Sequence, residues 1–282
     1  MRYPAVAGSF YPENENALKK QIEECFLHKL GPGEIPSYKK GERKIKGCVV
    51  PHAGYVYSGH VAAHVYSALA NDGFPETFII IGPNHTGYGS GVALTTETFN
   101  TPLGDVNVDK ELAKDLLNTI IDNDINTHKY EHSIEVQLPF LQYIKKDFMI
   151  VPVCMGMQDY KTAKEVGSVI KNVIKRRDVV VIASSDFTHC GSMYGQTPPM
   201  GKRVDEFAKE QDEKAIDAIL KLESKQLIEN IKKYNITMCG YGCVASMLFG
   251  VEGKNAELLK YATSYEISSG DMAVGYGAII VR

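Results

Sequence analysis

The sequence predicts an α/β protein, with a central, predominantly parallel sheet flanked by helices. Two observations carry this prediction. Short apolar runs such as Lys46–Pro51, Thr77–Gly82, Phe148–Val153 and Val179–Ser184 are strand-sized and read as buried strands. Longer amphipathic stretches lie between them, the alternation expected when helices cover a sheet. Composition agrees. The chain has 282 residues, is 44% hydrophobic and 23% charged, and is long enough to bury a core without disulfides or metal.

In chain order, Lys46–Pro51 is a strand that runs into a glycine-containing loop, and a helix follows over about Gly59–Ala70. Thr77–Gly82 is a second strand ending in a loop. Gly91–Thr95 and Asp105–Val108 are expected as short strands flanking the Pro102-Leu103-Gly104 turn. Asp109–Ile121 and Ser133–Ile144 carry helical spacing of apolar residues. Phe148–Val153 is a strand, Tyr160–Ile174 a helix, and Val179–Ser184 a strand. Helices are expected at about Arg203–Leu220, Glu223–Lys233 and Tyr241–Phe249, and two closing strands at Leu258–Ser264 and Met272–Val281. Gly31–Gly41 and Gly191–Gly201 have loop composition. Neither breaks the alternation, so one domain is expected over residues 1–282.

Several function classes are disfavoured at this point. No run approaches the roughly 20 apolar residues of a membrane span. The N-terminus Met1-Arg2-Tyr3-Pro4 has no signal-peptide pattern, so a cytoplasmic location is expected. A net charge of −3 gives no basic face for nucleic acid. The six cysteines are scattered without a C-x-x-C pair, which argues for buried small hydrophobes rather than a disulfide framework. No G-x-S-x-G elbow or Walker loop occurs.

Chemistry is expected at the strand ends. The strand from Lys46 runs into His52, the strand from Thr77 into His85, and the strand from Val179 into Asp186 and His189. Ligand sites of open α/β sheets form outside the carboxyl ends of strands, and a parallel sheet brings those ends together. Neutral imidazole is a common ligand of iron, zinc and copper, and a third donor is usually needed. Cys239 precedes a predicted helix, where partial positive charge would lower its thiol pKa, and is the best candidate; a structural cysteine is the alternative. Glu131, His132 and Glu135 form a further acid–base group at an expected helix start, where the two glutamates are spaced to share a face. His60 and His64 stand four apart on one helix, without the carboxylate of an H-E-x-x-H motif, and are expected as a surface His60 and a packed His64. His28 and His128 lie in polar surroundings and carry no signal.

Six segments occur in one order: Ala7-Gly8-Ser9-Phe10-Tyr11-Pro12, Pro51-His52-Ala53-Gly54-Tyr55, Gly82-Pro83-Asn84-His85, Glu131-His132-Ser133-Ile134-Glu135, Ser184-Ser185-Asp186-Phe187-Thr188-His189 and Met238-Cys239-Gly240. As a set they resemble the Memo family, named for a mediator of ErbB2-driven cell motility, whose prokaryotic members are called AmmeMemoRadiSam system protein B. The resemblance implies a fold similar to the class III extradiol ring-cleaving dioxygenases, which use non-haem Fe(II). It also implies a pocket in which His52, His85 and Cys239 face a metal, with Asp186 and His189 beside it. Iron is the first expectation, copper or zinc the alternatives. A thiolate here replaces the carboxylate ligand of the dioxygenases, which changes metal preference and redox potential.

Two imidazoles and a thiolate would leave coordination positions open for water, oxygen or substrate. His189 would then move a proton, with Asp186 fixing its tautomer or binding the metal's water, and His132 in support. The function expected is a non-haem metal-dependent redox protein. The alternative is a non-catalytic binding or scaffold protein built on a relict pocket, and a hydrolytic zinc enzyme is a third possibility. The partners implied are an AMMECR-type protein and a radical SAM enzyme, by family association, and a small-molecule or peptide ligand.

Overall fold

The carboxyl ends of four parallel strands face the same way, and this sets the position of the histidines that follow them. The computed structural model describes residues 1–175 and 177–282. In chain order the elements are α1 (Glu15–Leu27), β1 (Gly47–Val50), α2 (Tyr55–Asp72), β2 (Thr77–Pro83), β3 (Val92–Leu94), β4 (Phe99–Thr101), β5 (Gly104–Val106), α3 (Lys110–Leu116) and β6 (Asp122–Asn123). There follow α4 (Leu138–Ile144), β7 (Met149–Met155), α5 (Tyr160–Ile174), β8 (Val179–Ser184), β9 (His189–Gly191), α6 (Val204–Leu220), α7 (Ser224–Tyr234), α8 (Tyr241–Gly250), β10 (Ala256–Thr263) and β11 (Met272–Val281).

The main sheet has the order β10-β11-β1-β8-β2-β7-β3-β6, with β9 also paired to β11. Its centre, β1-β8-β2-β7, is parallel throughout, as the buried apolar runs predict. The flanks are antiparallel: β11 to β1 and β10 on one side, β3 to β7 on the other. One helical layer has α2 over β1, β10 and β11, with α1 and α4 against it; the other has α8 over β1, β8 and β2, with α5 and α7 against it. Both faces are therefore covered. Val49, Ile79, Ile81, Val151, Val181 and Ile279 are fully enclosed.

Local signals explain most boundaries. Asp159 caps α5 by accepting from Lys161 and Thr162 N–H, and Asp109 caps α3 by accepting from Leu112 N–H. The sequence reading assigned no element to Glu15–Leu27, yet Asn14 caps a helix there whose Leu18, Ile22, Cys25 and Phe26 are buried. α2 begins at Tyr55 rather than Gly59. The helix expected over Asp109–Ile121 stops at Leu116. The Pro102-Leu103-Gly104 turn is real, but its first strand is Phe99–Thr101; Val92–Leu94 belongs to the main sheet. The Ser133–Ile144 stretch enters through turns and a 3₁₀ turn over Glu135–Gln137, and becomes α-helical only at Leu138, next to Pro139. Among the described residues no helix is long and apolar enough to cross a membrane.

Candidate metal centre

The parallel registers place the site. Val50 lies opposite Ser184, and Ala183 opposite Ile81, so the residues just beyond β1, β8 and β2 emerge side by side. His52, His85 and Cys239 thereby each bring one ligand atom to within 4.8 Å of the others. A second group with the same property, His85, Glu131 and His132, shares His85. The rings of His52 and His85 lie 5.1 Å apart, nearly perpendicular, and His132 stacks on His85 at 4.6 Å with an interplanar angle of 22°. Phe10 closes this wall by packing on His132 at 4.8 Å.

Cys239 arrives from the other helical layer, at the residue before the N-cap of α8. Gln158, just beyond β7, clamps this turn: its amide donates to Cys239 O and its oxygen accepts from Gly242 N–H, each at 2.8 Å. The chain can approach β8 this closely because residue 240 is glycine; a Cβ there would overlap Ser184 O and the Ser185 side chain.

The partners of the outer ring nitrogens decide which way the imidazole lone pairs point. Ser184 Oγ has a single hydrogen, and it donates to Ser133 O at 2.6 Å. It also accepts from Gln137 Nε2 at 2.8 Å. Its contact with His52 Nδ1 at 2.9 Å must therefore be donated by the imidazole. His52 Nε2 is left as an acceptor, 3.2 Å from Cys239 Sγ. His85 likewise donates Nδ1–H to Glu131 Oε1 at 2.9 Å, which leaves its Nε2 free. Glu131 is held in turn by the N–H groups of His85, His132 and Ser133. Gln137 is oriented by donating to Pro51 O at 3.1 Å and accepting from Tyr66.

Burial disfavours the charged forms of His52 and His132. Burial first, then the neighbouring histidines, push His52 well below its ordinary value. Burial pushes His132 down to about 4 against the pull of Glu131. Burial would raise Glu131, but the hydrogen bond from His85, the adjoining imidazoles and the Ser133 N–H outweigh it and hold the carboxyl at about 2. A neutral His52 is in the state that metal binding needs. Cys239 departs from expectation. Enclosure first, then the Asp186 carboxylate, push its thiol up, and the N-terminus of α8 does not reverse this. The sulfur lies between His52 Nε2 at 3.2 Å and Asp186 O at 3.5 Å.

Asp186 and His189 both lie beside the site. Asp186 does not fix the tautomer of His189. Its Oδ1 accepts the backbone N–H groups of His52 at 2.7 Å and Ala53 at 3.3 Å, and so sets the course of the chain after β1. His189 Nδ1 lies 2.9 Å from Phe187 O and 3.1 Å from Thr237 O. Carbonyl oxygens only accept, so Nδ1 carries the hydrogen and Nε2 the lone pair. His189 lies close enough to His52 and Asp186 to be coupled electrostatically to both. Tyr194 packs edge-on against its ring at 5.1 Å.

Other expectations are corrected here. Glu131 and Glu135 do not share a helix face. Glu131 faces the site, whereas Glu135 accepts from Arg2, Tyr11 and the N–H groups of Ala5 and Val6, tying down the N-terminal segment. His60 is the buried member of its pair and His64 the half-buried one, the reverse of the expectation. His128 is buried too, bonded through Nε2 to Ala93 O. Gln137, Ser133 and Ser184 orient the site and were not singled out as functional from sequence. The available signal was polar Glu135 and Gln137 inside the apolar run Ile134–Leu138, all of it buried.

A search of solved structures aligns the fold with an uncharacterised protein from Escherichia coli K12, at a TM-score of 0.51 and 11% identity, covering 84% of this chain and 99% of that one. That likeness concerns the fold alone. The MEMO1 family proteins of Methanopyrus kandleri and Methanosarcina acetivorans are each 47% identical to this chain, covering 100% of it and 99% of their own length. The MEMO1 family protein of Pyrococcus abyssi is 46% identical with the same coverage. The family model described as Memo-like protein matches residues 2–280, and with relatives this similar over their whole length the chain belongs to the Memo family.

Proposed function

We propose that His52, His85 and Cys239 hold a single redox metal, iron first with copper or zinc as alternatives, in a non-haem redox protein that acts on a substrate bound at the open side of the metal. One observation carries this reading: three donor atoms converge within 4.8 Å, and the outer nitrogen of each imidazole is already committed to Ser184 or Glu131. The donor set fits a metal, since two neutral imidazoles and a thiol that can ionise form a facial group like the two-histidine-one-carboxylate triad. A metal held by three protein donors supplies an electrophilic, redox-capable centre with positions open to exogenous ligands. Zinc in the same donors would support only Lewis-acid chemistry.

The surrounding residues have separable tasks. His189, with its hydrogen on Nδ1, presents Nε2 to take a proton from a bound substrate. Asp186 holds the backbone that carries His52, so it acts by position. Neutral His132 buttresses the plane of His85. Because the Cys239 thiol must lose its proton on binding, metal uptake releases a proton.

The test is anaerobic purification followed by elemental analysis of wild type and of His52→Ala, His85→Ala and Cys239→Ala. Loss of metal from all three variants is expected, and equal metal content in the four proteins overturns the assignment. Oxygen- or reductant-dependent turnover that disappears in His189→Ala while metal remains supports the redox reading. Metal binding with no turnover and with capture of a protein partner supports a scaffold instead.

A further inference from the structure

The turn that carries Asp186 and His189 rests on a carboxylate that the metal reading does not use. Asp212, on α6, is fully buried and lies behind this turn. It accepts the Thr188 N–H at 2.8 Å and the Tyr261 O–H at 2.7 Å. Among the described residues no lysine, arginine or histidine forms an ion pair with it. Burying a carboxylate on two hydrogen bonds without a cation is costly, so its retention calls for a task.

The space for Asp212 exists because residue 275, on β11, is glycine; a Cβ there would overlap Oδ2. Gly275 also accepts from Phe187 N–H at 2.8 Å and donates to Thr188 O at 2.9 Å. His189 N–H goes to Thr237 Oγ1 at 2.8 Å. The turn is thus held by backbone bonds to β11 and by two side chains, Asp212 and Thr237. Only Asp212 can change its charge.

We infer that Asp212 is a pH-sensitive positioning residue for His189, holding the Phe187–His189 turn firmly when ionised and loosely when protonated. The proposal rests on the reading that His189 serves the metal pocket. Burial first raises the Asp212 carboxyl, to about 7 after the opposing bonds from Thr188 and Tyr261, so both forms are populated near neutrality. The groups that face it are few. Tyr261 on β10 donates to it, Lys214 on α6 favours its ionised form, and Glu213 and Glu266 act on Tyr261. His189 on β9 is reached through Thr188. Bonds to an ionised acceptor are roughly twice as strong as neutral ones, so protonation weakens the hold on Thr188 N–H.

The test uses full-length protein and NMR at pH 5 to 9. The Asp212 carboxyl carbon shift and the protection factor of the Thr188 amide are followed in wild type, Asp212→Asn and His189→Gln. Asparagine at 212 keeps an acceptor for Thr188 but does not titrate. In wild type the Thr188 protection factor is expected to fall about five- to tenfold as pH drops through the Asp212 transition. His189→Gln should retain this profile, because the imidazole is not its source, and Asp212→Asn should flatten it. A profile in Asp212→Asn that follows pH as wild type does overturns the proposal, as does one abolished by His189→Gln. Metal content, measured on the same samples, is expected to be unchanged in Asp212→Asn. An absence of metal from wild type counts against the metal centre alone and leaves the Thr188 profile readable.

Discussion

Two groups of histidines teach different things about what makes a site. At the strand ends, His52, His85 and His189 each donate Nδ1–H to a neighbour, so their Nε2 atoms are the free acceptors. On the face between α1 and α2, His28 and His60 are closer still, with rings 4.8 Å apart and His64 one turn further on. There the tautomers do not cooperate. His28 Nδ1 accepts Leu30 N–H, which puts its hydrogen on Nε2, and His64 Nε2 donates to Leu30 O. His60 Nε2 is buried with no partner. Proximity of imidazoles is thus not sufficient. The second partner of each ring decides whether lone pairs converge.

The strongest challenge to this contrast compares ligand loss at the two places. Cys239→Ala or His85→Ala should weaken iron or zinc binding more than about 100-fold, beyond the range for outer partners, while the His28→Ala/His60→Ala double variant should change it less than about twofold. Equal losses by calorimetric titration would erase the distinction. The next effect concerns orientation. Glu131→Gln keeps an acceptor for His85 Nδ1 but removes the charge, and should cost about 10- to 100-fold in metal affinity; Ser184→Ala should lie toward the lower end. Wild-type affinity in both variants would show that the outer bonds do not aim the rings.

Acidity sharpens the same contrast. With burial holding His52 neutral and one thiol proton to release, metal affinity should rise about tenfold per pH unit between pH 7 and 8, and the slope should flatten in Cys239→Ala. The smallest effect belongs to the helix face. His60→Leu removes an unpartnered buried nitrogen and should stabilise the fold by about 1 kcal/mol at pH 7 in urea unfolding. Burial lowers His60 to about 4, so the unfolded chain binds more protons between the ordinary 6.5 and that value. Wild type should therefore lose stability as pH falls through this window, and the gain from His60→Leu should widen there. A gain that narrows on acidification would contradict the burial of a neutral His60.

Much of this molecule was legible before any coordinates. Continuous apolar runs located the parallel centre, and His52, His85, Asp186 and His189 follow those runs directly. Cys239 entered from the short Met238-Cys239-Gly240 segment, where the glycine is needed for close approach to β8. Helix α1 was missed because its four buried residues are spread among charged ones in a 13-residue stretch. The strand partner of the Pro102 turn was missed because Val92–Leu94 and Phe99–Thr101 are equally short, and only pairing distinguishes them.

The sequence by itself determined most element types, the family and the candidate ligands, because these depend on local periodicity and on residue identity at strand ends. Tertiary structure decided the rest. Strand direction at the sheet flanks follows from how β10 and β11 return along β1, which apolar content does not encode. Which of His60 and His64 is buried depends on what packs against each side of α2. Hydrogen-bond partners remote in sequence, Ser184 for His52 and Glu131 for His85, fix the protonated nitrogen of each ring, and Asp212 reaches Thr188 only because β11 offers a glycine there. The tautomers that turn two histidines and a cysteine, scattered in sequence, into one converging site are a property of those long-range contacts.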